Sequence, residues 1–433
     1  MHIFPKPKLR YFRILYYFSQ FKRHQWLKEK YQLRIQEKRL RSLINHAYHN
    51  VPFYNDLFDS VGVKPQHIKT VKDLPNLPVL TKEDVRKNYP DKIITRGIDI
   101  EKCHTRSTTG STGMPLKIYF STKELDYYTT LNIFVWFAQG LRLKDRFITI
   151  RHKGFQVNNS LIKKLGILNW KNISIFNSVE DILKSLDNLK PDILTSYPSM
   201  LLLLSQEMEK RNNTSIKPRF IRTVGETLTE YSRKKISNAF SSDILAHYGS
   251  EEFGALGFEC AAHHGYHVIS DSAIIEIVKK NKHVVEGEEG EILVTGLFNY
   301  TMPLIRYKLG DIGTFTHEKC SCGRELPLIK TIVGRTDDFL TLPSGRKVSP
   351  RMINVIEDIP GVSSYKTVQE TKNKIVVNLI KGKGFCQKSK DDIKKHIKDG
   401  CLGEDVEVEV NVVDELPRNR RGKLRAVISN VKD

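Results

Sequence analysis

Between residues 103 and 330, short apolar runs with the pattern of β-strands alternate with longer runs that have helical spacing. The strand-like runs include KIYF, FITI, DILT and EILVTG, and one of the helical runs is SMLLLLSQEMEKR. Alternation of these two patterns predicts α/β layers around a largely buried sheet.

The regions on either side depart from this alternation. Apolar residues recur at helical spacing across residues 26–47, which predicts a helix, and Pro75, Pro78 and Pro90 predict turns between short helices. Beyond residue 337, strands KIVVNLI and VEVEVNVV flank the charged helical segment SKDDIKKHIKD, a pattern typical of a small α+β domain. We therefore expect three regions: a basic, aromatic extension at 1–25, a large N-terminal α/β domain at 26–336, and a small C-terminal α+β domain at 337–433.

The composition is that of a globular protein with an unusually high positive charge. Of the 433 residues, 39% are hydrophobic and 9% aromatic, and the formal net charge is +21. This charge indicates attraction to polyanions such as ATP, CoA, anionic lipid headgroups or nucleic acid, or else a Lys-rich proteome. Because the chain contains no nucleic-acid recognition element, we expect no nucleic-acid partner.

The cysteines and the N-terminal sequence indicate a reducing compartment. No regular disulfide framework and no cleavable signal peptide are recognisable. The apolar run YFRILYYFSQF is too short to span a bilayer and contains Arg13. We therefore expect a cytoplasmic protein.

The first 45 residues combine twelve Lys and Arg with two Glu, and aromatic residues lie between them. Basic and aromatic residues on one helix can lie in the interface of an anionic membrane. The alternative, which we favour, is a helix that packs on the main domain through its aromatic side chains and leaves its basic face in water.

A loop rich in small residues, STTGSTGMP at 107–115, lies between the strand-like segments KCHTR and LKIYFS. Its glycines allow close approach of the backbone to phosphate, and its hydroxyls can donate hydrogen bonds to phosphate oxygens. It is not a Walker A loop, because no GK[ST] follows it. An ordinary hairpin turn is an equally good interpretation of this loop alone.

Three further motifs supply groups suited to a nucleotide. YGSEE at 248–252 places an aromatic ring beside two carboxylates that could bind magnesium, although an acidic surface turn is the commoner case. RYKLGD ends in Asp311, whose carboxylate can accept hydrogen bonds from ribose hydroxyls. GRTDD contains Arg335, whose guanidinium suits ribose or phosphate oxygens.

Near the C-terminus, LPRNRRGK places Lys423 in a basic loop that contains a glycine. An ammonium group here could stabilise the charge that develops on an α-phosphate during in-line displacement, whereas a solvated basic tail is the common alternative. Each motif is weak alone. Their fixed order along the chain, however, predicts ATP-dependent activation of a carboxylate through an acyl-adenylate.

Two clusters of soft and borderline ligands lie about fifty residues apart, CAAHHGYH at 260–267 and CSC at 320–322. They predict a four-coordinate structural zinc site formed by Cys260, His267, Cys320 and Cys322, with His263 or His264 as substitutes for His267. Reduced thiols without a metal are the alternative.

The ordered motifs, together with the VPFY and DLPNLPVLTKEDVR segments, resemble the adenylate-forming superfamily of acyl-CoA synthetases. The nearest resemblance is to phenylacetate–CoA ligases and their CapK-like relatives from capsular polysaccharide gene clusters, and it extends from about residue 25 to the end. It implies ATP, magnesium and, by default, CoA as the acyl acceptor. A sugar amine or a carrier-protein thiol is an alternative acceptor, and a catalytically silent, membrane-peripheral protein is an alternative of another class.

The resemblance also implies roles for individual residues. Lys423 would be the adenylation lysine, Glu252 the magnesium-linked catalytic glutamate, and Asp337 the hinge of a mobile C-terminal domain. The zinc ligands resemble a site of some members of this branch. Two departures from the family are Met114, where many relatives have Lys, and Glu251, where Thr or Ser is usual. The implied nucleotide-binding residues are the phosphate loop Thr108, Thr109, Gly110, Ser111, Thr112 and Gly113, the Gly225–Glu226 element, Tyr248 and Gly249 beside the adenine, Asp311 on the ribose, and Arg335.

Overall fold

The computed structural model describes residues 7–107, 116–152, 169–211, 215–335, 339–348, 356, 359–401, 403–419 and 422–431. The chain forms two compact units. The first comprises residues 1–140 and 247–332, and the second comprises residues 141–246 and 333–433.

Nine α-helices lie in the described residues. They are α1 (Pro7–His24), α2 (Glu29–Asn50), α3 (Pro52–Ser60), α4 (Lys82–Lys87), α5 (Thr122–Ala138), α6 (Val179–Leu189), α7 (Pro198–Lys210), α8 (Glu230–Phe240) and α9 (Gln387–Gly400).

Twenty strands lie in the same part of the chain. They are β1 (His104–Ser107), β2 (Lys117–Phe120), β3 (Arg146–Arg151), β4 (Asn169–Ser174), β5 (Ile193–Ser196), β6 (Phe220–Val224), β7 (Asp243–Ser250), β8 (Gly254–Phe258), β9 (Tyr266–Val268), β10 (Ala273–Lys279), β11 (Lys282–His283), β12 (Gly290–Gly296), β13 (Tyr307–Thr316), β14 (Leu328–Arg335), β15 (Leu340–Thr341), β16 (Lys347–Val348), β17 (Val362–Thr371), β18 (Lys374–Lys381), β19 (Glu407–Val412) and β20 (Val427–Ser429).

In the first unit, the strands follow the order β11-β10-β12-β13-β14-β9-β8-β7. The pairs with a described register, such as β10 with β12 and β7 with β8, are antiparallel. Strands β1 and β2 form a separate antiparallel pair. The side chains of the sheet and of α2, α3 and α5 share one hydrophobic core.

Helix α1 packs on the first unit through one side only. Tyr17 and Phe21 are buried and contact the ring of Tyr127 on α5 edge to face. Arg10 and Arg13 donate hydrogen bonds to Asp126, whose side chain is fully buried. Other aromatic residues of α1 stay exposed, so a packed face and an exposed face exist on the same helix.

The second unit contains a parallel sheet with the order β6-β5-β3-β4. Its inward-facing aliphatic residues, including Ile148, Ile150, Leu194 and Ile221, form one core with α6, α7 and α8. Helix α6 begins where the Ser178 hydroxyl accepts a hydrogen bond from the Asp181 N–H, a capping interaction that satisfies one of the unpaired amides of the first turn.

The C-terminal part of the second unit is a smaller α+β layer. Four strands pair in the order β19-β18-β17-β20 and share a core with α9. This layer contacts α7 in the same unit, because the Ser363 hydroxyl donates a hydrogen bond to Gln206 Oε1 at 2.7 Å.

The prediction of an α/β fold is confirmed, including its small C-terminal α+β part. The runs KIYF, FITI, DILT and EILVTG lie in β2, β3, β5 and β12, and the predicted C-terminal strands lie in β18 and β19. The three domain boundaries drawn from the sequence stay predictions. Among the described residues, no helix combines the length and the apolar character needed to cross a bilayer.

Candidate active site and metal centre

The predicted phosphate loop, Thr108–Gly113 with Met114, lies outside the described residues, but the strands on either side of it are described. His104 pairs with Phe120 and Ser107 pairs with Lys117, so the loop connects the two antiparallel strands β1 and β2. This is the strand context that the sequence predicts for it.

Two of the predicted nucleotide residues are in contact in the first unit. The Tyr248 hydroxyl donates a hydrogen bond to Asp311 Oδ2 at 2.9 Å, and the Tyr248 side chain is largely buried. The neighbouring Gly249 cannot be replaced without a shift, because a Cβ atom would collide with the carbonyl oxygen of Gly254. The hydrogen bond thus joins β7 to β13, and β7 packs too closely on β8 to allow a side chain at position 249.

Glu252 is buried at the turn between β7 and β8 instead of lying on an exposed acidic turn. The Tyr307 hydroxyl donates a hydrogen bond to Glu252 Oε1 at 3.3 Å. A buried carboxylate in this position fits Mg²⁺, which takes one or two protein carboxylates together with substrate phosphates.

The unusual Glu251 lies close enough to Arg106 to affect its titration. Burial lowers the pKa of Arg106, and the negative charge of Glu251 partly opposes this shift. The guanidinium also lies 5.4 Å from the ring centroid of Phe120. The extra carboxylate is therefore accompanied by a cation of the same unit, which reduces its repulsion of a phosphate.

In the second unit, the Gly225–Glu226 element holds the loop that contains Lys423. Glu226 Oε1 accepts a hydrogen bond from the Leu424 N–H at 2.8 Å, and Oε2 accepts one from the Ser199 N–H at 3.1 Å. Arg418 donates to the Ser199 hydroxyl at 3.0 Å. Burial raises the pKa of the Glu226 carboxyl, and the two backbone donors oppose that rise.

The ammonium group of Lys423 lies against this element and over an aromatic ring. A Cβ atom at Gly225 would lie 2.9 Å from Lys423 Nζ, and Gly225 has a φ of +75°. Glycine is thus suited to this position both for its backbone conformation and for the space it leaves. Lys423 Nζ also lies 5.6 Å from the ring centroid of Tyr197, within the range of a cation–π contact.

The predicted nucleotide-binding residues are divided between the two units. Arg335 is the last residue of β14 and is half-buried. The predicted hinge, Asp337, lies outside the described residues. Tyr248, Gly249, Glu252 and Asp311 belong to the first unit, whereas Gly225, Glu226, Arg335 and Lys423 belong to the second. Their individual roles stay predictions.

The four predicted zinc ligands meet in the first unit. The ligand atoms of Cys260, His267, Cys320 and Cys322 all lie within 4.8 Å of one another. Cys260 Sγ lies 3.6 Å from Cys320 Sγ, and Cys322 Sγ lies 3.4 Å from His267 Nε2. Tetrahedral Zn²⁺ with ordinary Zn–S and Zn–N bonds separates its ligand atoms by about 3.6–3.8 Å, so the donor set fits zinc. The substitutes His263 and His264 are not part of this described cluster.

The protonation chemistry of this cluster also fits a metal. In the absence of a cation, burial raises the pKa of the Cys260 thiol to about 12 and lowers the pKa of His267 to about 4. A neutral imidazole is the form that ligates zinc, and a bound cation deprotonates a coordinating thiol. The four residues would thus hold a closed, structural zinc ion.

We expect the purified protein to contain about one zinc per chain, as a closed four-ligand site requires. Replacing Cys320 with Ser removes one thiolate and should abolish stoichiometric zinc and lower the melting temperature, measured by elemental analysis and thermal unfolding. Cys386→Ser, which changes an exposed thiol elsewhere, is the control. A Cys320→Ser protein with unchanged zinc content and melting temperature would contradict the assignment.

The sequence analysis did not identify several residues that contact the predicted site residues. Tyr307 and Arg306 lie inside the RYKLGD motif, yet the motif was interpreted through Asp311 alone. Arg306 is fully buried and forms an ion pair with Glu276 at 3.0 Å, so it stabilises the fold. The segment SYPS at 196–199 supplies Tyr197 and Ser199, and only its place after a strand-like run could have indicated a site.

Comparisons with known proteins show what the chain as a whole is similar to. Residues 340–430 match the model of the CapK C-terminal domain. Phenylacetate-coenzyme A ligase of Thermus thermophilus is 26% identical over 427 residues, which cover 91% of this chain and 95% of the relative. Protein CapK of Staphylococcus aureus is 26% identical over 434 residues, which cover 96% of this chain and 93% of the relative.

A solved structure has the same fold. 2-Hydroxyisobutyryl-CoA ligase, in complex with 2-HIB-AMP, matches with a TM-score of 0.78 at 17% identity, over 94% of this chain and 92% of that chain. The ordered motifs, the curated relatives and the C-terminal domain match agree with one another. The chain is therefore similar to the phenylacetate–CoA ligases and to CapK, and it has the fold of 2-hydroxyisobutyryl-CoA ligase.

Proposed function

We propose that this protein activates a carboxylic acid with ATP, forming an acyl-adenylate and pyrophosphate, and then transfers the acyl group to CoA. The observation that carries the proposal is the placement of Lys423 Nζ against Gly225 and over the Tyr197 ring. An ammonium group held by the Gly225–Glu226 element would act on charge that develops during the reaction. The phenylacetate-coenzyme A ligases among the relatives support the same reaction class.

In the first half-reaction, an oxygen of the substrate carboxylate attacks the α-phosphorus of ATP. The new P–O bond forms as the bond to pyrophosphate breaks, and negative charge builds on the phosphoryl oxygens. Lys423 would offset that charge, while the hydrogen-bonded Asp311 would hold the ribose. Magnesium, held by Glu252, would supply positive charge to the phosphates.

In the second half-reaction, the CoA thiol attacks the acyl carbon and AMP leaves. Lys423 lies in the loop that Glu226 and Ser199 hold by hydrogen bonds. We propose that this loop leaves the site between the two half-reactions, about a hinge at Asp337. Gating of this kind would keep water away from the adenylate before CoA is bound.

The experiment that tests the proposal is carboxylate-dependent pyrophosphate release from ATP and magnesium, screened with aryl, fatty and sugar acids. Release that requires one acid class, followed by CoA-dependent AMP release, is the expected result. No release with any acid, from protein that folds and binds ATP, would overturn the proposed reaction.

A second candidate for the acyl acceptor is a sugar amine or a carrier-protein thiol. The match of residues 340–430 to the CapK C-terminal domain is the observation behind it. Adenylate formation that proceeds without any CoA-dependent AMP release would favour this acceptor class over CoA.

We also infer that α1 makes peripheral contact with the surface of an anionic membrane. Its packed side is occupied by Tyr17 and Phe21, whereas Phe12 and Leu15 are 70% and 65% exposed. Tyr11 and Tyr16 extend this exposed apolar surface, and the surrounding N-terminal sequence is strongly basic. Exposed aromatic residues beside basic ones suit the headgroup region of such a membrane.

Replacing Phe12 and Leu15 together with Ser should strongly reduce co-sedimentation with vesicles that contain phosphatidylglycerol, because it removes the two most exposed apolar side chains of α1 and keeps the charge. Val285→Ser, at a side chain that is 71% exposed on the same unit, is the control. Wild-type protein that stays in the supernatant, or a double variant that sediments with the vesicles as strongly as the wild type, would refute membrane contact.

A further inference from the structure

The carboxyl ends of the parallel strands in the second unit carry an unusual set of cationic side chains. Arg151 is the last residue of β3, and Arg222 is the third of the five residues of β6. The guanidinium of Arg151 lies 5.7 Å from the ring centroid of Tyr197. Ligands of open α/β sheets bind outside the carboxyl ends of the strands, so these side chains lie where a ligand is expected.

Strand register places a polar row on one face of this sheet. Thr149 of β3 pairs with Thr195 of β5, and Thr195 pairs with Arg222 of β6. Paired residues of neighbouring parallel strands lie on the same face, and Arg151, two residues after Thr149, lies on that face too. Thr195 and Arg222 are each only 3% exposed. The opposite face carries the aliphatic residues that pack against the helices.

Two of these polar groups have unused hydrogen-bonding capacity. The Thr195 hydroxyl and Arg151 Nε are both buried, and neither has a hydrogen-bond partner among the described residues. A buried donor without a partner costs roughly 1–3 kcal/mol, more when the group is charged, and a bound ligand can supply the missing acceptor. An oxyanion is the acceptor that suits both a guanidinium and a hydroxyl.

The two guanidinium groups at this edge affect each other electrostatically. Burial and the positive charge of Arg151 together lower the pKa of Arg222 to about 9. An anion bound beside Arg151 would oppose this repulsion, since an opposite charge favours the charged form of a neighbouring group.

This cationic edge lies beside the proposed reaction centre in the same unit. Arg151 and Lys423 both lie over the ring of Tyr197, at 5.7 Å and 5.6 Å from its centroid. A substrate whose reacting carboxylate reaches Lys423 could therefore place a second group at Arg151. An acid with an apolar remainder, such as phenylacetate, would not supply an acceptor to Arg151 Nε.

We propose that the acid activated by this protein carries a second anionic group, a carboxylate or a phosphate, and that Arg151 binds it with the help of Arg222 and Thr195. The inference rests on the proposed function and names the substrate class of that site. Arg151 is then the residue that determines specificity. A site built around a polar partner rejects analogues that lack it, here by roughly 10²-fold or more.

The test compares matched pairs of acids in the pyrophosphate-release assay. Each pair shares a skeleton and differs in one anionic group: phenylacetate with 4-(carboxymethyl)benzoate, butyrate with succinate, and glucuronate with glucuronate 1-phosphate. The wild-type protein should prefer the doubly anionic member of at least one pair by roughly 10²-fold in kcat/KM. The carboxylate and phosphate pairs distinguish the two kinds of second group.

Arg151→Met keeps much of the side-chain volume and removes the charge. It should therefore make the kcat/KM values of the two members of the preferred pair equal. Lys171→Met, which removes one charge from an exposed side chain on β4, should keep the preference. Equal use of both members by the wild-type protein, preference for the singly charged member, or an unchanged preference in Arg151→Met would overturn the proposal.

Binding without ATP provides a readout that does not depend on the proposed reaction. A ligand that binds the folded state raises the melting temperature. At least one doubly anionic acid of the panel should raise the melting temperature of the wild-type protein and of Lys171→Met. It should not raise the melting temperature of Arg151→Met. If no acid of the panel releases pyrophosphate, the proposed function fails, and this shift still decides the anion site. The proposed anion site would be overturned if no acid raised the melting temperature of the wild-type protein, or if Arg151→Met showed an equal rise.

Discussion

Replacing Lys423 with Ala should lower the rate of acyl-adenylate formation by about 10²- to 10³-fold, the usual cost of removing one preorganised charge-stabilising group. The ammonium group is held against Gly225 and Tyr197, so its effect should depend on this position. Thioester formation from supplied acyl-adenylate and CoA should be spared, because in that step the thiol attacks the acyl carbon and not the α-phosphorus, and the loop that contains Lys423 is proposed to have left the site. Pyrophosphate release and CoA-dependent AMP release, measured separately, distinguish the two half-reactions.

The matched control for this substitution is Lys383→Ala, which removes an exposed lysine from the same unit. It should leave both half-reactions at the wild-type rate. Equal loss of both half-reactions in Lys423→Ala would remove Lys423 from its proposed role, since a group that acts only on adenylation cannot slow the transfer step equally.

Replacing Asp311 with Ala should raise the Michaelis constant for ATP by about 10- to 100-fold, because hydrogen bonds to a charged group contribute about 1.5–3 kcal/mol. The substitution removes the proposed acceptor of the ribose hydroxyls and also leaves the Tyr248 hydroxyl without this partner. Steady-state kinetics at saturating acid measure the change.

Tyr248→Phe separates the two consequences of that change. It removes the hydrogen bond to Asp311 but keeps both the carboxylate and the ring, so its effect on the Michaelis constant should be much smaller. Asp391→Ala, at an exposed carboxylate of α9, controls for the loss of one negative charge. An unchanged Michaelis constant for ATP in Asp311→Ala would show that this carboxylate does not hold the ribose.

The parts of the fold that could be predicted from the sequence are those whose cause is local. Apolar runs such as FITI and EILVTG have the length and composition of buried strands, and they lie in β3 and β12. The helix predicted at 26–47 corresponds to α2, shifted by about three residues. Such shifts arise because helix ends depend on capping and on the preceding turn, which the apolar spacing does not report.

The contacts of the candidate site depend on long-range packing, and the sequence predicted its residues better than their partners. Leu424 and Glu226, which are 198 positions apart, are joined by a hydrogen bond that no local pattern indicates. The Tyr307–Glu252 contact is equally nonlocal. The cluster of Cys260, His267, Cys320 and Cys322 was easier to predict, because residue types suited to zinc are few and their grouping is visible in the sequence.

The N-terminal helix shows how far its packing could be predicted from composition. The favoured interpretation, packing through aromatic side chains, describes Tyr17 and Phe21. It does not describe Phe12, which stays exposed on the same helix. Composition counts aromatic residues without regard to the direction in which each one leaves the helix, so it could not separate the two faces.

The shared position of Arg151 and Lys423 over one tyrosine has a consequence for attempts to change what this protein accepts. Any replacement of Tyr197 would remove the ring that both Arg151 and Lys423 contact, so altered selectivity and lost turnover would appear together. A redesign that starts at Arg151 avoids this coupled loss, because replacing Arg151 leaves the contact between Lys423 and Tyr197 in place. Libraries built to broaden the range of acids should therefore vary the end of β3 and keep the tyrosine constant.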